Sequence, residues 1–243
     1  MRDWVYGFFM AWGMFLAIPC PRKIWSESAR QKMLVCMPLV GLLAGGVWAG
    51  AWLLLRGAPG PVRAAVCAAA PWLVTGFMHL DGYMDVCDAV LSRRDLATRQ
   101  RILKDSHCGA FAVICMVLLA MGQWSLFLAA EDVSWLGLLL IPAATRACAG
   151  LAVLGLRPMG TSQYAAMGPA RGGYGAALWV LLALSVGLPL WLDGSFGPLA
   201  AAAGYGLAVW YGFRNLDGMS GDISGFALTL GELCGCGAAI LWR

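Results

Sequence analysis

The chain has 243 residues, 60% of them hydrophobic and only 12% charged, with a formal net charge of +4. Soluble domains carry about 25% charged residues, so this chain has too little polar surface for a water-soluble globule. The cations form no long tract of the kind that grips a phosphate backbone, and no nucleic-acid partner is expected.

The apolar residues gather into runs of about 20, enough to cross a hydrocarbon core of roughly 30 Å. They predict an all-α, polytopic membrane bundle of about seven to eight spans, built as one domain over residues 1–243. The first span covers Trp4 to Ile18 and is stopped by Pro19-Cys20-Pro21. No small-residue cleavage site follows it, so no removable signal peptide is expected. Further spans are predicted over Met33–Leu55, Ala64–Leu80, Gly109–Ala130, Trp135–Leu156, Tyr174–Leu192, Phe196–Phe213 and Gly225–Trp242. With eight spans, the loops 19–32, 81–108, 157–173 and 214–224 share one side and hold 12 of the 17 Lys and Arg residues. The excess of cations marks that side as cytoplasmic. The nine cysteines lack zinc-site spacing and read as free thiols, mostly small hydrophobes inside spans.

The longest polar segment opens with His79-Leu80-Asp81-Gly82-Tyr83-Met84-Asp85-Val86-Cys87-Asp88. Asp81, Asp85 and Asp88 stand at i, i+4 and i+7, on one helical face. Three like charges on one face are unfavourable by themselves. A hard divalent cation, Mg²⁺ or Mn²⁺, would make them favourable. Arg93 and Arg94 follow, and cations beside a metal suit a diphosphate substrate; the plainer alternative is an interfacial helix whose acids pair with the basic residues of 93–104. Lys104-Asp105-Ser106-His107-Cys108-Gly109 precedes the fourth span. Asp105 or Ser106 can cap that helix, Asp105 can serve as metal ligand or base, and Lys104 can reach phosphate. His79, at the membrane boundary, is either a general base, a ligand or a satisfied interfacial histidine.

Two further segments carry signals. Asp217-Gly218-Met219-Ser220-Gly221-Asp222 alternates glycine with oxygen-bearing side chains, which suits an anion nest or an ordinary turn. Glu232 lies about two turns inside the last span, where an acid is costly. It reads either as a functional group or as the partner of Arg146, which is also inside a span. Arg157-Pro158-Met159-Gly160 leaves the fifth span as a turn. The two site segments are therefore 79–109 and 214–232.

Taken together, these residues resemble the cobalamin synthase family, adenosylcobinamide-GDP ribazoletransferase. The resemblance spans nearly the whole chain. It rests on Pro38-Leu39-Val40-Gly41, on the H-L-D-G-x-x-D-x-x-D block from His79, on Asp105-Ser106 with Gly109, on Arg157-Pro158 with Gly160, and on Ser220-Gly221-Asp222 with Gly225 and Glu232. It implies a Mg²⁺-dependent transferase (one or two ions, Mn²⁺ as a substitute) in the bacterial inner membrane, active on its cytoplasmic face. Such an enzyme joins α-ribazole, or its 5′-phosphate, to the corrinoid of adenosylcobinamide-GDP and releases GMP. Partners would be those substrates, the bilayer, and a second copy or other late cobalamin-assembly enzymes. Asp81, Asp85, Asp88 and Asp105 would hold metal, and Asp88, His79 or Asp105 would serve catalysis. Arg93, Lys104, Ser106, Gly109, Arg157, Gly160, Ser220, Gly221, Asp222 and Glu232 would bind substrate or phosphate. Two departures stand out. Leu16-Ala17 occupies a place where the family often has Thr-Arg, and Ala89 follows Asp88 where Gly is common.

Asp85-x-x-Asp88-Ala89-x-x-Ser92-Arg93 is also similar to the core motif of CDP-alcohol phosphotransferases, though the rest of that motif is absent. A membrane prenyltransferase would need a second aspartate-rich motif. An ion-coupled transporter would place acids near the bilayer midplane.

Overall fold

The computed structural model describes residues 2–160, 162, 164 and 173–242. Thr161 and Arg171 of the expected 157–173 loop lie outside them. Ten α-helices are described: α1 (Arg2–Phe15), α2 (Arg30–Leu54), α3 (Gly60–Val74), α4 (Met78–Leu91), α5 (Leu96–Ile102), α6 (Ala110–Ala129), α7 (Trp135–Gly155), α8 (Tyr174–Asp193), α9 (Gly197–Leu216) and α10 (Gly221–Leu241). The expected all-helical membrane bundle is what the chain forms.

Among the described residues, five helices are long and apolar enough to cross a membrane: α2 with the short turn before it, α6, α7, α8 and α10. The α3–α4 pair makes a sixth only if it is taken as one broken span, since α4 leaves α3 at 90°. Five or six spans among the described residues are not the exact count expected, but are consistent with about seven to eight. With 14 residues α1 is short, and at about 1.5 Å per residue it falls well below the hydrocarbon thickness. In α9, Gly, Tyr and Trp dilute the alanines and leucines.

Small residues set the packing. Without a hydrophobic drive between helices in lipid, close backbone approach supplies the cohesion. Gly41 and Gly45 form a G-x-x-x-G on α2. A Cβ on Gly41 would stand 2.5 Å from the Pro142 carbonyl of α7, and one on Gly45 would overlap the Leu139 carbonyl. The same device recurs on α10, where a Cβ on Gly231 would stand 2.8 Å from the Ala201 carbonyl of α9, and one on Gly235 would stand 2.9 Å from that of Gly197. α2, α7 and α10 are thus largely buried, while α6 and α8 present mostly exposed apolar faces, as lipid-facing helices do.

The break between α3 and α4 positions the acids. Gly76 and Phe77 both adopt left-handed φ, 61° and 63°, a conformation that costs a non-glycine residue. Hydrogen bonds hold the turn, from Phe77 N–H to the Trp72 carbonyl at 2.9 Å and from Ala17 N–H to the Val74 carbonyl at 2.9 Å. α4 then crosses the first two turns of α10. A Cβ on Gly82 would stand 2.8 Å from the Asp222 carbonyl, and one on Gly225 would stand 3.0 Å from that of His79. Tyr83 stacks on Phe226 at this crossing, with ring centroids 5.8 Å apart.

Candidate active site

The three aspartates of α4 share one face, as their spacing predicts, and Asp222 in the first turn of α10 joins them across the Gly82 contact. Asp81, Asp85 and Asp88 line one cavity of about 230 Å³ together with Asp105 and Ser106. Asp81 also lines a neighbouring cavity of about 160 Å³ with His79, Asp222 and Ser224. Asp222 in turn borders a third, of about 450 Å³, with Lys104, Ser220 and Gly221. The two segments far apart in sequence therefore meet in one track of three cavities, with Asp81 and Asp222 at its junctions.

This cluster is under electrostatic load. Among the described residues, none of Asp81, Asp85, Asp88 and Asp222 is ion-paired with Lys or Arg. Burial, then the carboxylates of Asp81, Asp222 and Asp88, push the Asp85 carboxyl up to about 7. Carboxylates crowded without a cation are the condition a bound cation relieves. Their all-oxygen chemistry fits Mg²⁺ or Mn²⁺. Among the described residues, however, no three acidic, histidine or cysteine side chains are gathered into a closed ligand set, so the donors suit the ion in kind without enclosing a place for it.

Asp88 does something that spacing alone did not reveal. Its carboxylate accepts hydrogen bonds from Gly109 N–H and from Ala112 N–H, the latter at 3.1 Å. It thus caps α6 from a different helix. Gly109 is required for this, because a Cβ there would overlap the Asp88 carboxylate. The expected cap from Asp105 or Ser106 is not made. Asp105 instead accepts from His107, at 2.6 Å from Nδ1 and 3.0 Å from the backbone N–H. That histidine holds the Asp105 carboxyl below the usual carboxylate range.

The model of the family described as cobalamin-5-phosphate synthase matches residues 7–240. The chain belongs to that family. It is 32% identical to an adenosylcobinamide-GDP ribazoletransferase of Clostridium botulinum (strain Alaska E43 / Type E3), with both chains covered in full. It is 33% identical to the enzyme of that name from Clostridium perfringens (strain 13 / Type A), over 93% of this chain and 94% of the other. For the one from Ralstonia pickettii (strain 12J) the figure is 32%, over 100% and 96%. No solved structure matches the chain.

In this member of the family, the motif residues divide by place. His79, Asp81, Asp85, Asp88, Lys104, Asp105, Ser106, Ser220, Gly221 and Asp222 border the three cavities, and Gly109 seats Asp88. His79 is 8% exposed and stacks on Phe15 at 6.4 Å between centroids. Ser220 caps α10, accepting from Ile223 N–H at 3.3 Å. Four expected contacts stand elsewhere. Arg93 ends α4 in a left-handed conformation and is exposed, lining none of the three. Arg157 pairs with Asp217 at 2.5 Å, and its segment is pinned to the second loop by a bridge between Pro158 and Met219. A Cβ on Gly160 would meet nothing within 4 Å among the described residues. Glu232 is buried against Arg146 at 2.7 Å, the structural alternative of the two readings. Sequence reasoning missed Arg30, Phe15, Trp25 and Tyr164 on the cavity walls. None sits in a patterned motif, so nothing local marked them.

Proposed function

We propose that this protein transfers the phosphocobinamide moiety of adenosylcobinamide-GDP to α-ribazole or its 5′-phosphate, releasing GMP, at the cytoplasmic face of the inner membrane. The observation that carries this reading is the meeting of Asp81, Asp85, Asp88 and Asp222, without cationic partners among the described residues, where α4 crosses α10. Such a cluster suits a diphosphate only if divalent cations accompany it. Asp81 and Asp85 are the residues that would hold them, with Asp88 and Asp105 at the border. Mg²⁺ bound there would neutralise the diphosphate and favour departure of GMP.

The chain's own groups supply the rest. A ribazole hydroxyl attacks the phosphorus that bears the cobinamide arm, in line with the leaving GMP. Asp222 takes the hydroxyl's proton; it borders both the acidic track and the cavity of about 450 Å³ beside it, which supports that role. His79 orients this end of α4, its carbonyl accepting from Thr229 Oγ1 at 3.2 Å. Lys104, exposed at the rim, steers the anionic donor. Liposomes holding the purified protein should release GMP from adenosylcobinamide-GDP only when acceptor and Mg²⁺ are both supplied. Release without acceptor, or no release at all, would set the proposal aside.

A further inference from the structure

The largest cavity beside the acids has a composition that the transfer chemistry does not explain. Five methionines, Met33 and Met37 among them, line it together with Phe15 and Trp25. Methionine and aromatic walls receive a flat apolar ring through dispersion and sulfur–ring contacts. At the rim stand two cations, Arg30 and Lys104. Arg30 is held by Glu27 at 3.1 Å, and Glu27 also accepts from the Trp25 indole N–H at 2.7 Å. Trp25 and Arg30 are thus positioned by one carboxylate. Arg30 Nε is buried and has no hydrogen-bond partner among the described residues.

We infer that this cavity seats the acceptor nucleoside, with its base against the methionines and, in the phosphorylated form, its 5′-phosphate on Arg30 and Lys104. The inference rests on the proposed transfer reaction and names the acceptor's place in it. The volume of about 450 Å³ falls in the usual range for small-ligand sites. Two nucleotides take part in the reaction, so the walls must choose between them. Guanine carries N–H and carbonyl groups along its outer edge, and these need partners when buried. The benzimidazole of α-ribazole presents only carbon there. Among the described residues the cavity wall is mostly apolar, with Asp222 its one carboxylate and Ser162, Tyr164 and Ser220 its hydroxyls. Asp222 stands where the cavity meets the acidic track, so an acceptor seated here has its ribose at the reacting end.

Kinetics of GMP release by the full-length protein in liposomes test this through three KM values: for α-ribazole, for its 5′-phosphate and for adenosylcobinamide-GDP. Arg30→Gln should raise the ratio of the phosphorylated to the unphosphorylated acceptor KM by about tenfold, the scale of one lost charge-assisted hydrogen bond. Trp25→Ala, at an exposed position, should raise both acceptor KM values severalfold and hold the donor KM. A raised donor KM with unchanged acceptors would put the GMP end in the cavity and overturn the inference, as would three unmoved values. Equilibrium dialysis of α-ribazole 5′-phosphate against donor-free protein separates the two proposals. Binding that weakens in Arg30→Gln, in a protein without turnover, keeps this inference and removes the transfer reaction. Turnover with binding unchanged in both variants does the reverse.

Discussion

Asp88 shows how one carboxylate can serve two ends of the molecule. Its oxygens accept from Gly109 and Ala112 N–H groups, fixing where α6 begins relative to the acidic face of α4. Asp88→Ala should cost about 0.5–2 kcal/mol, the usual value of an N-cap. Gly109→Ala should cost a similar amount for the same reason, since its methyl group would drive the Asp88 carboxylate off the helix end. The two losses share one contact, so the double variant should be little worse than either single change. Thermal unfolding in detergent checks this; full additivity would separate Gly109 from the cap. The sequence shows Asp88 as one of three acids on a face and Gly109 as a helix-start glycine. Their contact bridges 21 residues and two helices, and no local pattern encodes it.

At the scale of elements, the crossing of α4 and α10 was half legible. The i, i+4, i+7 spacing gave the acidic face, and the Ser220-Gly221-Asp222 run gave a helix start. The glycines Gly82 and Gly225 read as motif members, although their physical role is to let two backbones touch. Below this crossing lies the Arg146–Glu232 pair, with the two side chains 2% and 7% exposed. Breaking it leaves a charge unpaired in the bundle. Glu232→Gln or Arg146→Met should each destabilise by about 3–5 kcal/mol. The double change Arg146→Met with Glu232→Leu should recover most of that stability, because the charge and its cost leave together. If the double variant unfolds as readily as the singles and also loses substrate affinity, Glu232 belongs to the site after all. The cavity walls from α1, α2, Met159 and Tyr164 were not legible, since Met, Phe and Trp within an apolar chain carry no pattern that separates lining from packing.

At the scale of the whole molecule, composition alone was enough for a helical membrane protein, because 60% hydrophobic residues leave no aqueous fold open. The number of crossings was less legible. A run of apolar residues shows neither that α1 stops after 14 residues nor that α3 breaks at Gly76-Phe77. The charge asymmetry between loops is what supports the proposal that the acidic cavities face the cytoplasm. Cys108 tests this, being exposed at the cavity rim. In a variant whose other cysteines are replaced, a membrane-impermeant maleimide should label it only after the inner membrane is opened. Labelling in intact spheroplasts would invert the topology.

Asp85 gathers these scales into one position. It stands midway along the acidic face, under the carboxylates of Asp81, Asp222 and Asp88, and accepts no hydrogen bond among the described residues. A group that crowded contributes little to folding and should matter chiefly to the cation and the diphosphate. The direct measurement is GMP release by Asp85→Asn in liposomes, alongside its thermal unfolding. The account predicts turnover lower by on the order of a hundredfold or more, with a melting temperature equal to or above that of the unaltered protein. Unaltered turnover in a folded, membrane-inserted Asp85→Asn protein would contradict it.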